Sequence, residues 1–108
     1  MFENPPNLEL PSASINSAIT AAEVMERSPE VLAYLTDKIN KLPHQIDMGK
    51  LYIRKDNPGK KVLELKDMYL ESTEITSMYG VLAEAKKYLI LWQHAEANAK
   101  IFYRTFTA

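Results

Sequence analysis

The chain has 108 residues and a mass of 12.3 kDa, with 46% hydrophobic and 25% charged residues, the proportions of a folded domain rather than a disordered one. Thirteen Lys+Arg against fourteen Asp+Glu leave a net charge of −1, so bulk charge draws it neither to nucleic acid nor to an anionic membrane. Zero cysteines exclude disulfides, thiolate metal sites and a Cys nucleophile, and no apolar run approaches the ~18 residues of a membrane span.

The opening Asn4-Pro5-Pro6-Asn7 and Pro11 are not helix interior, because proline lacks the donor and clashes with the preceding turn. Residues 1–11 therefore read as an extended arm, with Leu8 and Leu10 available to dock it on the body or on a neighbour. Residues 12–108 read as one mainly α-helical domain. Ser12 or Ser14 is the expected cap of a first helix, with Ile15, Ala18, Ile19, Ala22 and Met25 on one face. Ser28-Pro29-Glu30 reads as a new helix start, with Ser28 as N-cap and Pro29 in the first helical position. That second helix runs to about Lys41 and buries Val31, Leu32, Leu35, Ile39 and Leu42. Pro43 is expected to end or kink it.

Residues 44–66 admit two readings. Ile46, Gly49 and Ile53 suit a helix continuing past Pro43. Yet Leu51-Tyr52-Ile53-Arg54 and Val62-Leu63-Glu64-Leu65 flank Asp56-Asn57-Pro58-Gly59, which is turn chemistry between β-prone runs. A short β-hairpin around residues 50–65 and a helix–loop–helix stand level. Pro58 and Gly59 fit the central positions of a type II turn, a type that matches hairpin twist poorly.

The last third is the plainest element, a long helix from about Glu74 to Arg104. Ile75, Met78, Leu82, Ala85, Leu89, Trp92, Glu96, Ala99, Tyr103 and Phe106 recur in steps of three and four, a heptad-like seam broken only at Glu96. A helix of thirty-odd residues is ~45 Å long, more than the width of a compact domain this size. Apolar residues also lie off the seam, at Tyr79, Val81, Tyr88, Ile90, Leu91 and Phe102. The seam is therefore expected to be a self-association surface, carried by Ile75, Met78, Leu82, Leu89, Trp92, Tyr103 and Phe106.

Enzymatic constellations are thin. His44 and His94 are far apart and have no thiols to complete a zinc set; Gly49, Gly59 and Gly80 are too dispersed for a phosphate loop. A catalytic centre would need a cleft joining one of these histidines to a distant carboxylate. No metal, no cofactor and no catalytic residue is expected.

Charge distribution says more than charge total. Residues 1–40 hold two basic and six acidic groups, a net of −4, whereas residues 41–66 hold seven basic and three acidic groups, a net of +4. Lys50, Arg54, Lys55, Lys60 and Lys61 in that basic stretch are interleaved with Tyr52. Cations that neutralise phosphates beside an aromatic on which a base can stack are the ingredients of single-stranded nucleic-acid binding. Lys100-Ile101-Phe102-Tyr103-Arg104-Thr105-Phe106 is a second aromatic and basic cluster, suited to an oligomer interface or a partner-docking tail.

Lys50-Leu51-Tyr52-Ile53-Arg54-Lys55, the Tyr69-Leu70 pair and the step into Glu74-Ile75, followed by a long C-terminal helix, resemble the phage UvsY-type recombination mediators over about residues 46–104. The chain is short for that family, and Pro43 and Asn57-Pro58-Gly59 depart from its pattern. The resemblance implies a homo-oligomer that binds single-stranded DNA and helps load a recombinase, with Lys50, Arg54 and Lys55 on the phosphates. It also implies a place in the host cytoplasm or the virion. The expectation is thus a non-enzymatic, self-associating, nucleic-acid-binding accessory protein of the cytoplasm, with no membrane partner. The alternative is a structural or adaptor protein that binds other proteins through the N-terminal arm and the aromatic tail.

Overall fold

The computed structural model describes residues 5–11 and 17–107, with side-chain surroundings as far as residue 105. It consists of α1 (Ala18–Asp56), α2 (Val62–Glu71) and α3 (Thr73–Thr107), and there is no strand among the described residues. The fold is mainly α, with the long C-terminal helix expected from the seam.

α1 begins at a serine cap. The Ser17 hydroxyl oxygen accepts from the Thr20 backbone N–H at 3.2 Å, satisfying one of the donors a helix start leaves free. Ser12 and Ser14, the expected caps, lie outside the described residues, as does Ile15.

The expected break at Ser28-Pro29 does not occur, and neither does the stop at Pro43: α1 is one helix of 39 residues through both prolines. Each proline leaves the carbonyl four residues earlier, on Met25 and on Ile39, without its helical donor, a cost of ~3 kcal/mol in a helix interior. Both prolines are on the exposed side, where water can reach the backbone. On the opposite side Ala21, Val24, Ser28, Val31, Leu35, Leu42 and Ile46 are all buried. That stripe continues at helical spacing through both proline positions, so packing holds together what local rules would cut. Ser28 is accordingly not a cap but a core residue.

The first-helix face also shifts. Ile19 is 81% exposed, and Ala18 and Met25 are exposed as well. Ala21 and Val24, smaller side chains one position round, are the ones that pack. Of the expected stripe only Ala22 is even half-buried among the described residues. On the next stretch Val31, Leu35 and Leu42 are buried and Leu32 and Ile39 half-buried, as expected.

The β-hairpin alternative is excluded. Leu51–Arg54 closes α1 and Val62–Leu65 opens α2. Between them Lys60 N–H reaches the Asn57 carbonyl at 3.4 Å, with Pro58 and Gly59 in the centre and Gly59 at φ 84°. This is a type II turn. The Asn57 side chain donates to the Ile53 carbonyl at 2.9 Å, capping the end of α1. A second cap joins α2 to α3. Ser72 N–H bonds the Met68 and Tyr69 carbonyls, and the Ser72 hydroxyl accepts from Ile75 N–H at 3.2 Å.

The chain divides into two compact units, Met1–Asp37 with Lys86–Ala108, and Lys38–Ala85. The first has a core of Ala21, Val24, Val31 and Leu35 from α1 with Trp92, Ala95 and Ala99 from α3. The described part of the arm, residues 5–11, has no regular structure and is held by hydrogen bonds within this unit. Trp92 Nε1 donates to the Leu8 carbonyl at 2.8 Å, and Arg27 Nη2 donates to the carbonyls of Asn7 and Glu9 at 2.7 and 2.9 Å. The Arg27 guanidinium also lies 4.9 Å from the centroid of the Trp92 ring, within the range of cation–π attraction.

The second unit buries Leu42 and Ile46 from α1 and Ile75 and Ala85 from α3. At Gly49 the two helices approach closely: a methyl group there would lie 3.4 Å from Ile75 Cγ1 and 3.5 Å from Met78 Cε. α2 contributes no buried residue, and Val62, Leu63 and Leu70 are exposed.

Candidate nucleic-acid interface

The cations of residues 50–66 fall into two groups once their partners are known. Arg54 and Lys55 lie in the last turn of α1, where positive charge is favoured by the helix dipole. Lys61 precedes α2, and Lys66 lies on it. All four are exposed, and none has an ion-pair partner among the described residues. Lys60 is different, since its ammonium pairs with Glu64 at 4.0 Å with both side chains about half exposed. Such a surface pair is weak, worth ~0.2–1 kcal/mol, and releases its cation readily.

Lys50 is held more firmly. Its Nζ donates to the Tyr79 hydroxyl at 2.7 Å and lies 5.2 Å from the Tyr79 ring centroid and 5.5 Å from that of Tyr69. These three residues, with Lys66, Leu70, Ile75 and Thr76, line an open cleft of about 370 Å³.

Tyr52 does not join Lys50. Two residues apart on a helix is a rotation of about 200°, and Tyr52 lines another groove of about 360 Å³ with His44, Gln45, Met48, Gly49, Glu74 and Met78. The expected interleaving of Tyr52 with Lys50 is therefore a feature of the sequence and not of the surface. Tyr52 is itself well exposed, at 59%. His44 and Glu74 share that groove, but no hydrogen bond or ion pair joins them. Nor is any group of three or more His, Cys, Asp or Glu placed to hold a metal ion among the described residues. No helix there is long and apolar enough to cross a membrane.

The α3 seam is covered largely within the chain. Ile75 and Trp92 are buried, as are Ala85 and Ala99; Met78, Leu82, Leu89 and Tyr103 are half-buried, and the Phe106 side chain lies outside the described residues. The one polar seam residue has a polar partner. The Ser28 hydroxyl donates to Glu96 Oε2, and Lys100 Nζ donates to Oε1 at 3.1 Å. The Ser28 hydrogen bond, followed by that from Lys100, holds the Glu96 carboxyl below its ordinary value of 4.5, against an opposing effect of burial. Ser28 is the one buried polar residue of the described core, so the break in the seam and the serine in the α1 stripe answer each other. The pairing was open to detection as one polar residue in each of two apolar stripes.

The residues missed by sequence reasoning are Lys66, Tyr69 and Tyr79 as a cluster. Tyr79 was visible only as an aromatic off the seam, and Tyr69 only as part of a resemblance. Compared with known protein families, with curated proteins and with solved structures, the chain matches none.

Proposed function

We propose that this protein is a non-enzymatic accessory factor that binds single-stranded nucleic acid through the turn between α1 and α2 and the helix ends beside it. The observation that carries this reading is the exposure of Arg54, Lys55, Lys61 and Lys66 without ion-pair partners among the described residues. Cations already neutralised by carboxylates would release no counterions from a phosphate backbone; these four can. The adaptor alternative draws less support, because the described part of the arm is engaged by the chain's own Arg27 and Trp92.

The resemblance to UvsY-type mediators narrows the reading to single-stranded DNA and to recombinase loading in an oligomer. Light scattering tests the assembly: a multiple of 12.3 kDa supports it, and the mass of one chain removes it.

The binding test is the fluorescence anisotropy of a labelled ~20-nucleotide single strand, titrated at two salt concentrations. Binding that weakens as salt rises is the expected result. Replacing Arg54, Lys55 and Lys61 together with Gln should remove about three phosphate contacts and flatten the log–log salt dependence by about 2. No binding at low salt would retire nucleic acid as the partner.

A further inference from the structure

The cleft around Lys50 combines three properties seldom needed together. Its floor is apolar, with Ile75 buried beneath it. Tyr69 and Tyr79 supply aromatic rings from two different helices, and Lys50 and Lys66 supply two ammonium groups. Lys50 uses one N–H on the Tyr79 hydroxyl, and an ammonium has two more to donate. Thr76, which also lines the cleft, donates its hydroxyl hydrogen into its own helix turn, toward the Ser72 and Thr73 carbonyls, so only the acceptor capacity of that oxygen remains for a ligand.

The chemistry of the occupant follows from that combination. A bare inorganic anion would use the ammonium groups and gain nothing from the rings and the apolar floor. A neutral apolar ligand would leave two cations beside it without benefit. A cationic ligand is disfavoured, because Lys50 already stands over both rings. What remains is a flat, largely apolar body carrying an anion and ring N–H donors, which describes a nucleotide. The volume of about 370 Å³ lies in the range of small-ligand pockets, ~300–1,000 Å³.

We propose that this cleft is a subsite for one unstacked base of a bound single strand. The base lies against Tyr69 and Tyr79, and its phosphate is met by Lys66 and Lys50. The inference rests on the single-strand reading above and deepens it: the aromatic partner of the basic segment is the Tyr69–Tyr79 pair rather than Tyr52. Lys66 is shared between the two, since it is both a free cation of the turn region and a wall of the cleft.

The experiment compares single variants in the anisotropy titration, with helicity checked by circular dichroism. Tyr69→Leu and Tyr79→Leu should each weaken strand binding about tenfold while leaving the salt dependence unchanged, because a stacking surface is lost and no phosphate contact is. Tyr79→Phe keeps the ring and should bind within threefold of the parent chain. Tyr52→Leu should do the same. Lys66→Gln should weaken binding and reduce the salt slope by about 0.7. Should either leucine variant lose helicity, Leu70→Glu replaces it. Leu70 is an exposed residue at the cleft mouth, so a carboxylate there repels the phosphate without disturbing the core.

A salt-sensitive complex that is indifferent to the leucine variants and to Leu70→Glu would overturn the subsite and leave the single-strand reading standing. Loss of binding on Tyr52→Leu alone would do the same and move the stacking role to the other groove. No strand binding by the parent chain at low salt would remove both.

Discussion

The two compact units treat their polar groups in opposite ways. In the unit formed by Met1–Asp37 and Lys86–Ala108, polar atoms turn inward and close on one another. Trp92 is fully buried and hydrogen-bonded to the arm, Arg27 is fixed by two carbonyls and a ring, and Ser28 meets Glu96 inside the interface of α1 and α3. In the unit Lys38–Ala85 Arg54, Lys55, Lys61 and Lys66 are exposed without ion-pair partners among the described residues, α2 buries nothing, and a cleft and a groove stay open. Closed hydrogen bonding raises the cost of local opening; exposed side chains and few buried contacts lower it. The difference places the more closed packing in the first unit, and the proposed binding reading draws on the second. Amide hydrogen exchange should accordingly be slowest in Val24–Leu35 and Trp92–Ala99 and fastest in α2.

The comparison breaks most readily at Trp92. Trp92→Ala removes the largest fully buried side chain among the described residues, leaves the Leu8 carbonyl without its donor and takes the ring away from the Arg27 guanidinium. A loss of about 3–5 kcal/mol is expected, read as a fall in Tm of more than ~10 °C. A small change in Tm would mean that the first unit is not the stable one.

Ser28→Ala comes next. It leaves Glu96 with Lys100 alone, at a cost of about 1–2 kcal/mol for a lost hydrogen bond to a charged group that keeps some access to water. The pH dependence fixes the sign independently. Glu96 titrates below its ordinary 4.5 in the folded chain, so it contributes stability above that pH and loses it as the pH falls through the folded value. Denaturation followed from pH 6 to pH 3 should show a steeper loss in the parent chain than in Glu96→Gln or Ser28→Ala. Parallel curves would show that the Ser28 hydroxyl does not hold the carboxylate.

How far these features were legible depends on whether they are local. The α3 seam was, because no proline interrupts it and its steps of three and four survive the polar Glu96. The α1 stripe was written as plainly at Val24, Ser28, Val31, Leu35, Leu42 and Ile46, but Pro29 and Pro43 are strong local stop signals. Only packing, which is not local, overrides them. Asn57-Pro58-Gly59-Lys60 was readable to the level of turn type, because φ at Gly59 and the fixed φ of proline are properties of single residues. The basic segment could be counted in the sequence, yet its division into free and engaged cations could not. Lys50 meets Tyr79 from 29 positions away, and sequence spacing carries no record of that meeting.

Gly59 gives a smaller test inside the open unit. At φ 84° with nothing within 4 Å of an added methyl group, Gly59→Ala meets backbone strain and no steric clash. The expected loss is about 1–2 kcal/mol, measured by urea denaturation. A neutral result would mean that the turn relaxes out of its type II geometry.

The smallest expected effect sharpens the comparison most, because it asks for stability and binding to come apart. Leu70 is 73% exposed on a helix that buries nothing, and surface substitutions of that kind change stability by less than ~0.5 kcal/mol. Leu70→Glu should therefore leave the urea midpoint unchanged while weakening strand binding, because Leu70 lines the same cleft as Lys66 and the proposed subsite would set the new carboxylate near a phosphate. If the substitution destabilised the chain by 1 kcal/mol or more, Leu70 would be packing against something. The second unit would then be less open than its exposed leucines imply, and the division between a closed unit for stability and an open one for binding would fail at the residue where it is drawn most sharply.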